Sequence, residues 1–321
     1  MVRSNAVTIR YERALGSLLG SFIGDALGAQ TEFKREKTVR QSFPDGIRDM
    51  GVSSRYVGLA GQITDDSEMA IMMIQSILEH GRYQKEAVRK AYIRWRDAGP
   101  LDIGVTIYGA LDGSFNPQSQ ANGALMRITP IGILGSNYST SALMHVADED
   151  CSITHTHTVC RDCNRIYAFA LSLAISKGWD AQEIYTYLLK SAPSMTKEPS
   201  VLEALSKAAH EPPQGIDGPY KGWVLVAFQL AFYTLLHQDS FEQGMVDLIM
   251  RAGDADTNAV IYGALAGAIA TREHMPERWI SALKISNCLQ GLIDYPHKRL
   301  ERLAEEWVEE LINLPVVQKL S

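Results

Sequence analysis

The chain is poor in the features that would take it outside ordinary globular proteins. Four cysteines (Cys151, Cys160, Cys163, Cys288) in 321 residues do not make a disulfide framework, and such usage fits a reducing cytoplasm. No basic run interleaved with aromatics occurs, and a formal net charge of −6 argues against a nucleic-acid partner. No stretch is apolar for long enough to span a bilayer, so no membrane partner is expected. Linkers are also missing. The one Pro/Gly-rich stretch of note, at 211–219, is short and flanked by helical patterns, so it reads as a loop within one domain covering 1–321. Alternating strand-like runs are scarce; Thr106-Ile107-Tyr108 is followed at once by helix formers. No repeat of fixed period is visible.

Helical periodicity is abundant. Met69 to Leu78, Ala87 to Trp95, Tyr167 to Ile175, Ile184 to Leu189, Trp223 to Leu236, Gly244 to Met250, Ala259 to Ala270 and Leu303 to Leu311 carry apolar residues at three- and four-residue spacing. Breakers fall between them, as at Gly99-Pro100, Gly113 to Pro117, Gly135-Ser136-Asn137 and Pro193. The expected fold is all-α, a compact bundle of roughly ten or more helices given typical helix lengths. Arg3, Arg10 and Arg13 precede the apolar run Ala14 to Ala29, which superficially resembles a signal peptide. Asp25 interrupts that run, and Gly16, Gly20, Gly24 and Gly28 recur every four residues, placing a glycine stripe on one helix face. Each glycine costs about 1 kcal/mol of helix propensity, so the stripe needs a closely packed partner to offset it. The reading is a buried core helix preceded by an N-terminal extension at 1–13. The helix after Thr257 repeats the device with Gly263 and Gly267.

Two acidic clusters stand out, Thr64-Asp65-Asp66-Ser67 and Asp254-Ala255-Asp256-Thr257, about 190 residues apart, each opening an apolar helical run. Either alone reads as an N-cap, since Thr, Asp and Ser are preferred there. Together, two adjacent-acid caps on very apolar helices exceed what capping requires, and oxygen-only donors suit Mg²⁺ or Mn²⁺ better than zinc. A two-metal site is the sharper reading.

Six motifs then occur in a familiar order: Gly24-Asp25-Ala26-Leu27-Gly28-Ala29-Gln30-Thr31-Glu32, Thr64-Asp65-Asp66-Ser67, Asp102-Ile103-Gly104, Asn122-Gly123-Ala124-Leu125-Met126-Arg127, Thr154-His155 and Gly253-Asp254-Ala255-Asp256-Thr257. From about Ala14 to Ala270 the chain resembles the ADP-ribosylglycohydrolases, the group that contains dinitrogenase reductase-activating glycohydrolase and the ADP-ribosyl-acceptor hydrolases. The resemblance implies an orthogonal helical bundle around a central cleft with two Mg²⁺ or Mn²⁺ ions. It also implies hydrolysis of the bond between ADP-ribose and a protein side chain, arginine by analogy with the arginine-directed members. The implied metal ligands are Thr64, Asp65, Asp66, Asp254, Asp256 and Thr257. Glu32 would be the mobile acid that closes over the site, and Asp102 the acid beside the scissile ribose. Gly104 belongs to the Asp102 motif, and Asn122, Gly123 and His155 match segments that line the ADP-ribose cleft. Many relatives carry a polar residue, often Asn, where this chain has Val105.

Five converging carboxylates would repel one another, and two divalent cations nearly neutralise them. Either Glu32 or Asp102 is placed to deprotonate water or assist the leaving group. The Asn122-Gly123 loop can offer backbone N–H groups to the diphosphate. Tyr220 or Trp223 is a candidate to stack on adenine, with an ordinary loop or core role as the alternative. Some of these residues carry other readings. Asp102 is also a candidate helix N-cap after Gly99-Pro100, Asp25 a supporting hydrogen-bond acceptor, and Arg127 a structural ion-pair partner. The run from His155 and His157 to Cys160 and Cys163 invites zinc, but four N/S ligands within nine residues are cramped for a tetrahedral site. A reading from another class makes the chain a binding protein that occludes an ADP-ribosyltransferase toxin through the residues before Ala14 or the 211–219 loop.

Overall fold

The computed structural model describes residues 5–294 and 299–315. Within them lie fifteen α-helices: α1 (Asn5–Gly28), α2 (Glu36–Ser42), α3 (Asp65–His80), α4 (Lys85–Asp97), α5 (Val105–Leu111), α6 (Thr129–Gly135), α7 (Thr140–Thr154) and α8 (Thr158–Lys177). The second half adds α9 (Ala181–Met195), α10 (Pro199–Lys207), α11 (Val224–His237), α12 (Phe241–Met250), α13 (Ala255–Ala270), α14 (Glu277–Ala282) and α15 (Leu300–Asn313). Among the described residues β-pairing is confined to three isolated bridges, Gln62 with Lys284, Ala121 with Trp223 and Gln290 with Ile293. The fold is all-α, and the strand-like Thr106-Ile107-Tyr108 lies inside α5.

The axis of the molecule is the antiparallel pair α1 and α13. Gly16, Gly20, Gly24 and Gly28 face the backbone of Gly267, Gly263, Ala259 and Asp256 in turn, and a Cβ added at any of the four would collide with backbone atoms. Gly263 and Gly267 return the constraint against the Gly20 and Gly16 carbonyls. Backbone-to-backbone approach of this kind multiplies dispersion contacts and needs small residues on both sides. Around the pair, α8, α11 and α12 pack on α13, while α15, α6 and α8 pack on α1. α3 lies against α4, and α7 covers α6 and α8.

Antiparallel packing has a consequence for chemistry. It brings the C-terminal end of α1, and the turn after it that carries Glu32, alongside the first turn of α13. Helix α1 also begins earlier than the sequence suggests. From Asn5 onward the expected N-terminal extension is helix, and the side chain of Arg10 binds Ser136, Asn137 and the Ile312 carbonyl, while Arg13 reaches the carbonyls of Ala174, Trp179 and Ala268. Pro193, expected as a breaker, lies within the last turn of α9, which ends two residues later at Met195.

Candidate active site

Both acidic clusters stand where helices begin, yet neither caps its helix. Thr64 occupies the N-cap of α3 and Asp254 that of α13, and neither side chain makes a capping hydrogen bond. The Thr64 hydroxyl instead donates to Asp25 Oδ1 at 2.7 Å, and Asp254 Oδ2 accepts from Asn122 Nδ2 at 2.7 Å. Asp25 is fully buried on α1 and also accepts the backbone N–H groups of Thr64 (2.9 Å) and Ser67 (3.1 Å). It therefore does the N-capping of α3 from another helix, which frees Asp65 and Asp66 to point elsewhere.

The second cluster is held by its backbone. Ala252 and Gly253 both take positive φ, and a Cβ on Gly253 would strike the Ile216 carbonyl. Phe33 donates its N–H to the Gly253 carbonyl and Gly253 donates to the Lys34 carbonyl (3.3 Å), so the Glu32 turn and the Asp254 turn are stitched together. One oxygen from each of Glu32, Asp254 and Asp256 falls within a 4.8 Å group.

These side chains line one cavity of about 320 Å³ whose walls include Glu32, Asp65, Asp66, Asp254, Asp256 and Thr257. The same cavity is lined by Asp102, Gly104, Val105, Asn122, Gly123 and His155. Most expected site residues thus share one space. Thr64 is buried behind the wall, its hydroxyl engaged by Asp25. Tyr220 is 73% exposed and does not line this cavity. Trp223 faces a second cavity and donates its indole N–H to Gln120 Oε1 at 2.8 Å. Asp102 is not a helix cap, since α5 starts from Gly104; its Oδ1 accepts the adjacent Ile103 N–H. Val105 is 90% exposed at the rim.

The His–Cys run resolves without zinc. His157 caps α8 through Nδ1, and the buried thiol of Cys160 points to the carbonyls of Ser119 and Ala121. Arg127 is the structural partner expected of it. Fully buried, it pairs with Asp150 at 3.0 Å and donates to the Gly123 carbonyl at 3.0 Å, fixing the loop beside the cavity.

Electrostatically the site is under tension. Burial first, and mutual repulsion next, push the carboxyls of Asp65, Asp66 and Asp256 well above the usual range, and burial raises Asp25 and Asp254 as well. Glu32 is raised to about 7 by burial, with the Arg55 guanidinium pulling the other way. Burial holds His155 neutral, its pKa lowered to about 3. Its Nδ1 meets the Thr154 hydroxyl, while Nε2 is buried without a partner on the cavity wall. Asp66 Oδ1 and Glu32 Oε2 are likewise buried and unpartnered. Buried carboxylate oxygens with no hydrogen bond, in an all-oxygen donor set, fit a hard divalent cation.

Three residues of the site carry no sequence signal. Arg55 bridges Glu32 (2.7 Å) and Asp102, and its guanidinium lies 4.5 Å from the centre of the Phe33 ring. Phe33 sits in the left-handed region at φ 57° and lines the cavity. Tyr56 has a buried, unpartnered hydroxyl, raised in pKa by burial and then by Asp256. Arg55 and Tyr56 belong to an irregular loop with neither period nor motif.

Comparison with known proteins agrees with this geometry. The sequence profile of the ADP-ribosylglycohydrolase family matches residues 6–314. The chain belongs to the ADP-ribosylglycohydrolases. Among relatives of this family, the ADP-ribosylarginine hydrolase Tri1 of Pseudomonas putida is 26% identical over 91% of this chain and 80% of its own. The ADP-ribosyl-[dinitrogen reductase] glycohydrolase of Rhodospirillum rubrum is 26% identical over 85% of this chain and 90% of its own. A solved structure described as an ADP-ribosylglycohydrolase-related protein complex superposes with a TM-score of 0.80 at 25% identity, covering 96% of this chain and 99% of that one. As an ADP-ribosylglycohydrolase the chain is a glycosidase-type hydrolase of ADP-ribose linkages. No described helix is long and apolar enough to cross a membrane.

Proposed function

We propose that this chain removes ADP-ribose from modified protein side chains, with arginine as the acceptor. The observation that carries the reading is that Asp65, Asp66, Asp254 and Asp256 line one cavity together with Glu32 and Asp102, with unpartnered oxygens among them. The name of the Tri1 relative supports arginine.

Asp65, Asp66, Asp254, Asp256 and Thr257, with Thr64 behind them, would hold two divalent cations, Mg²⁺ or Mn²⁺. Such ions supply positive charge that orients the ribose hydroxyls and acidifies water. This chain's own residues do the remainder. Glu32, held near neutrality by burial, is suited to take a proton from the attacking water. Asp102, which shares the Arg55 guanidinium with Glu32, stabilises the positive charge that develops on the ribose as the glycosidic bond breaks. Neutral His155 offers Nε2 to ligand oxygen, and the Asn122-Gly123 backbone, held by Arg127, faces the diphosphate. Rigid support of this kind fixes the reacting atoms without a reorganisation cost at the moment of reaction.

The test is release of free ADP-ribose from an arginine-modified protein, with and without Mg²⁺, alongside Asp65→Ala and Asp256→Ala. Metal-dependent release lost in both variants is the expected result. Full release in the presence of a chelator would overturn the metal-dependent reading.

A further inference from the structure

Arg55 is the one cation in direct contact with Glu32 and Asp102 among the described residues, and its placement is unusual for a structural ion pair. It sits on an irregular loop whose neighbours Val52, Val57 and Leu59 are exposed, and about a third of its own side chain is open to solvent. The loop backbone is anchored one residue earlier, where Ser54 donates its N–H to the Ala29 carbonyl and its hydroxyl to the Glu32 carbonyl. The backbone of the loop is therefore held by contacts other than the guanidinium. Both carboxylate contacts use the single nitrogen Nη1, and Glu32, only 4% exposed, keeps Oε2 buried and unpartnered. The Phe33 ring, held in place by the Gly253 stitch, presents its face to this guanidinium and also to the Lys221 ammonium at 4.7 Å. Two carboxylates and an aromatic face are the recognition chemistry of a planar cation.

We infer that Glu32, Asp102 and Phe33 form a guanidinium subsite for the substrate's acceptor group, and that Arg55 fills it until a substrate arginine displaces it. The inference rests on the hydrolase reading and specifies its acceptor. The exchange replaces one guanidinium by another, so the two carboxylates are not left unpaired, which would carry a large penalty for buried charge. An acceptor with no positive charge lacks this exchange and has to enter beside Arg55. A tethered side chain also competes at high effective concentration, so removing it raises affinity for a free guanidinium.

The full-length protein with Mg²⁺ would be titrated with agmatine by calorimetry, using 1,5-diaminopentane as a cation of the same charge without the guanidinium. Arg55→Ala and Arg55→Gln are expected to bind agmatine at least tenfold tighter than the unaltered chain. Adding Asp102→Asn or Phe33→Ala to Arg55→Ala should abolish that gain, and diaminopentane should show none. Equal agmatine affinity with and without Arg55, or an equal gain for diaminopentane, overturns the subsite. Release of ADP-ribose from modified arginine by the unaltered chain, with no agmatine gain in Arg55→Ala, would leave the hydrolase standing and remove the subsite. The agmatine gain without any ADP-ribose release would do the reverse.

Discussion

Asp25 on α1 accepts both the backbone N–H and the hydroxyl of Thr64, at 2.9 and 2.7 Å, so the first turn of α3 is docked on the glycine-striped helix by one buried carboxylate. Asp25 does not line the cavity, and its influence passes through the position of Asp65 and Asp66. Supporting residues of this kind typically contribute 10–100-fold to metal affinity. Asp25→Asn is expected to weaken Mn²⁺ binding by about tenfold or more while the far-ultraviolet circular dichroism stays helical. Titration with Mn²⁺ followed by electron paramagnetic resonance checks this, and unchanged affinity would reduce Asp25 to a helix cap.

The α1–α13 contact makes a stability prediction. Gly20 meets the Gly263 carbonyl so closely that even a methyl group has no room. Gly20→Ala gains helix propensity, about 1 kcal/mol in isolation, but overpacking at backbone contact costs about 3 kcal/mol and should win. A lower midpoint in urea with an unchanged slope is the expected outcome. Gly81, with open space around it at the end of α3, is the matched control, although its positive φ adds a strain cost of its own.

Residues that announce themselves in the sequence are those whose chemistry is local. The glycine stripe is legible because helical spacing alone puts Gly16 to Gly28 on one face, and the acidic pairs because they open apolar helices. Arg55, Tyr56 and Phe33 are illegible for the opposite reason. Their roles depend on where two irregular segments land: the turn before α2, where Phe33 donates to the Gly253 carbonyl, and the loop after α2, where Ser54 donates to the Ala29 and Glu32 carbonyls, contacts that no periodicity encodes. Tyr220 is not decided by its sequence, because an aromatic beside a Pro/Gly loop is as consistent with an exposed surface as with a stacking platform. The same loop is docked on α2 by Asp217, which accepts from the Glu36 N–H at 2.9 Å.

His155 should leave a mark on acid stability. It is buried and neutral, with a pKa near 3 against about 6.5 when unfolded. Between those values the unfolded chain binds the extra proton, so stability falls as pH drops through that window, by at most about 1.4 kcal/mol per pH unit from this group. His155→Gln is expected to flatten the curve between pH 6 and 4. The difference between the two unfolding curves isolates the imidazole from the carboxylates, and parallel curves would mean that His155 is protonated in the folded chain.

The carboxylates bend the curve the other way, and this separates a metal site from an acidic pocket that merely tolerates its charge. Asp65, Asp66, Asp254 and Asp256 have raised pKa values in the metal-free fold, so without metal they favour the folded state at low pH and oppose it as pH rises through those values. Removing one charge should therefore help the metal-free protein. Asp256→Asn is expected to melt higher than the unaltered chain in chelator at pH 8, because it relieves repulsion from Glu32, Asp66 and Asp254 at little cost in volume. With Mg²⁺ at a hundred times its dissociation constant, the unaltered chain gains about 2.7 kcal/mol and the order reverses, since the variant has lost a ligand. Thermal melts of both proteins, with chelator and with Mg²⁺, give the four values needed. A crossing of the two pairs means that the acidic clusters exist to bind cations; a variant that is less stable in both conditions means that Asp256 is structural.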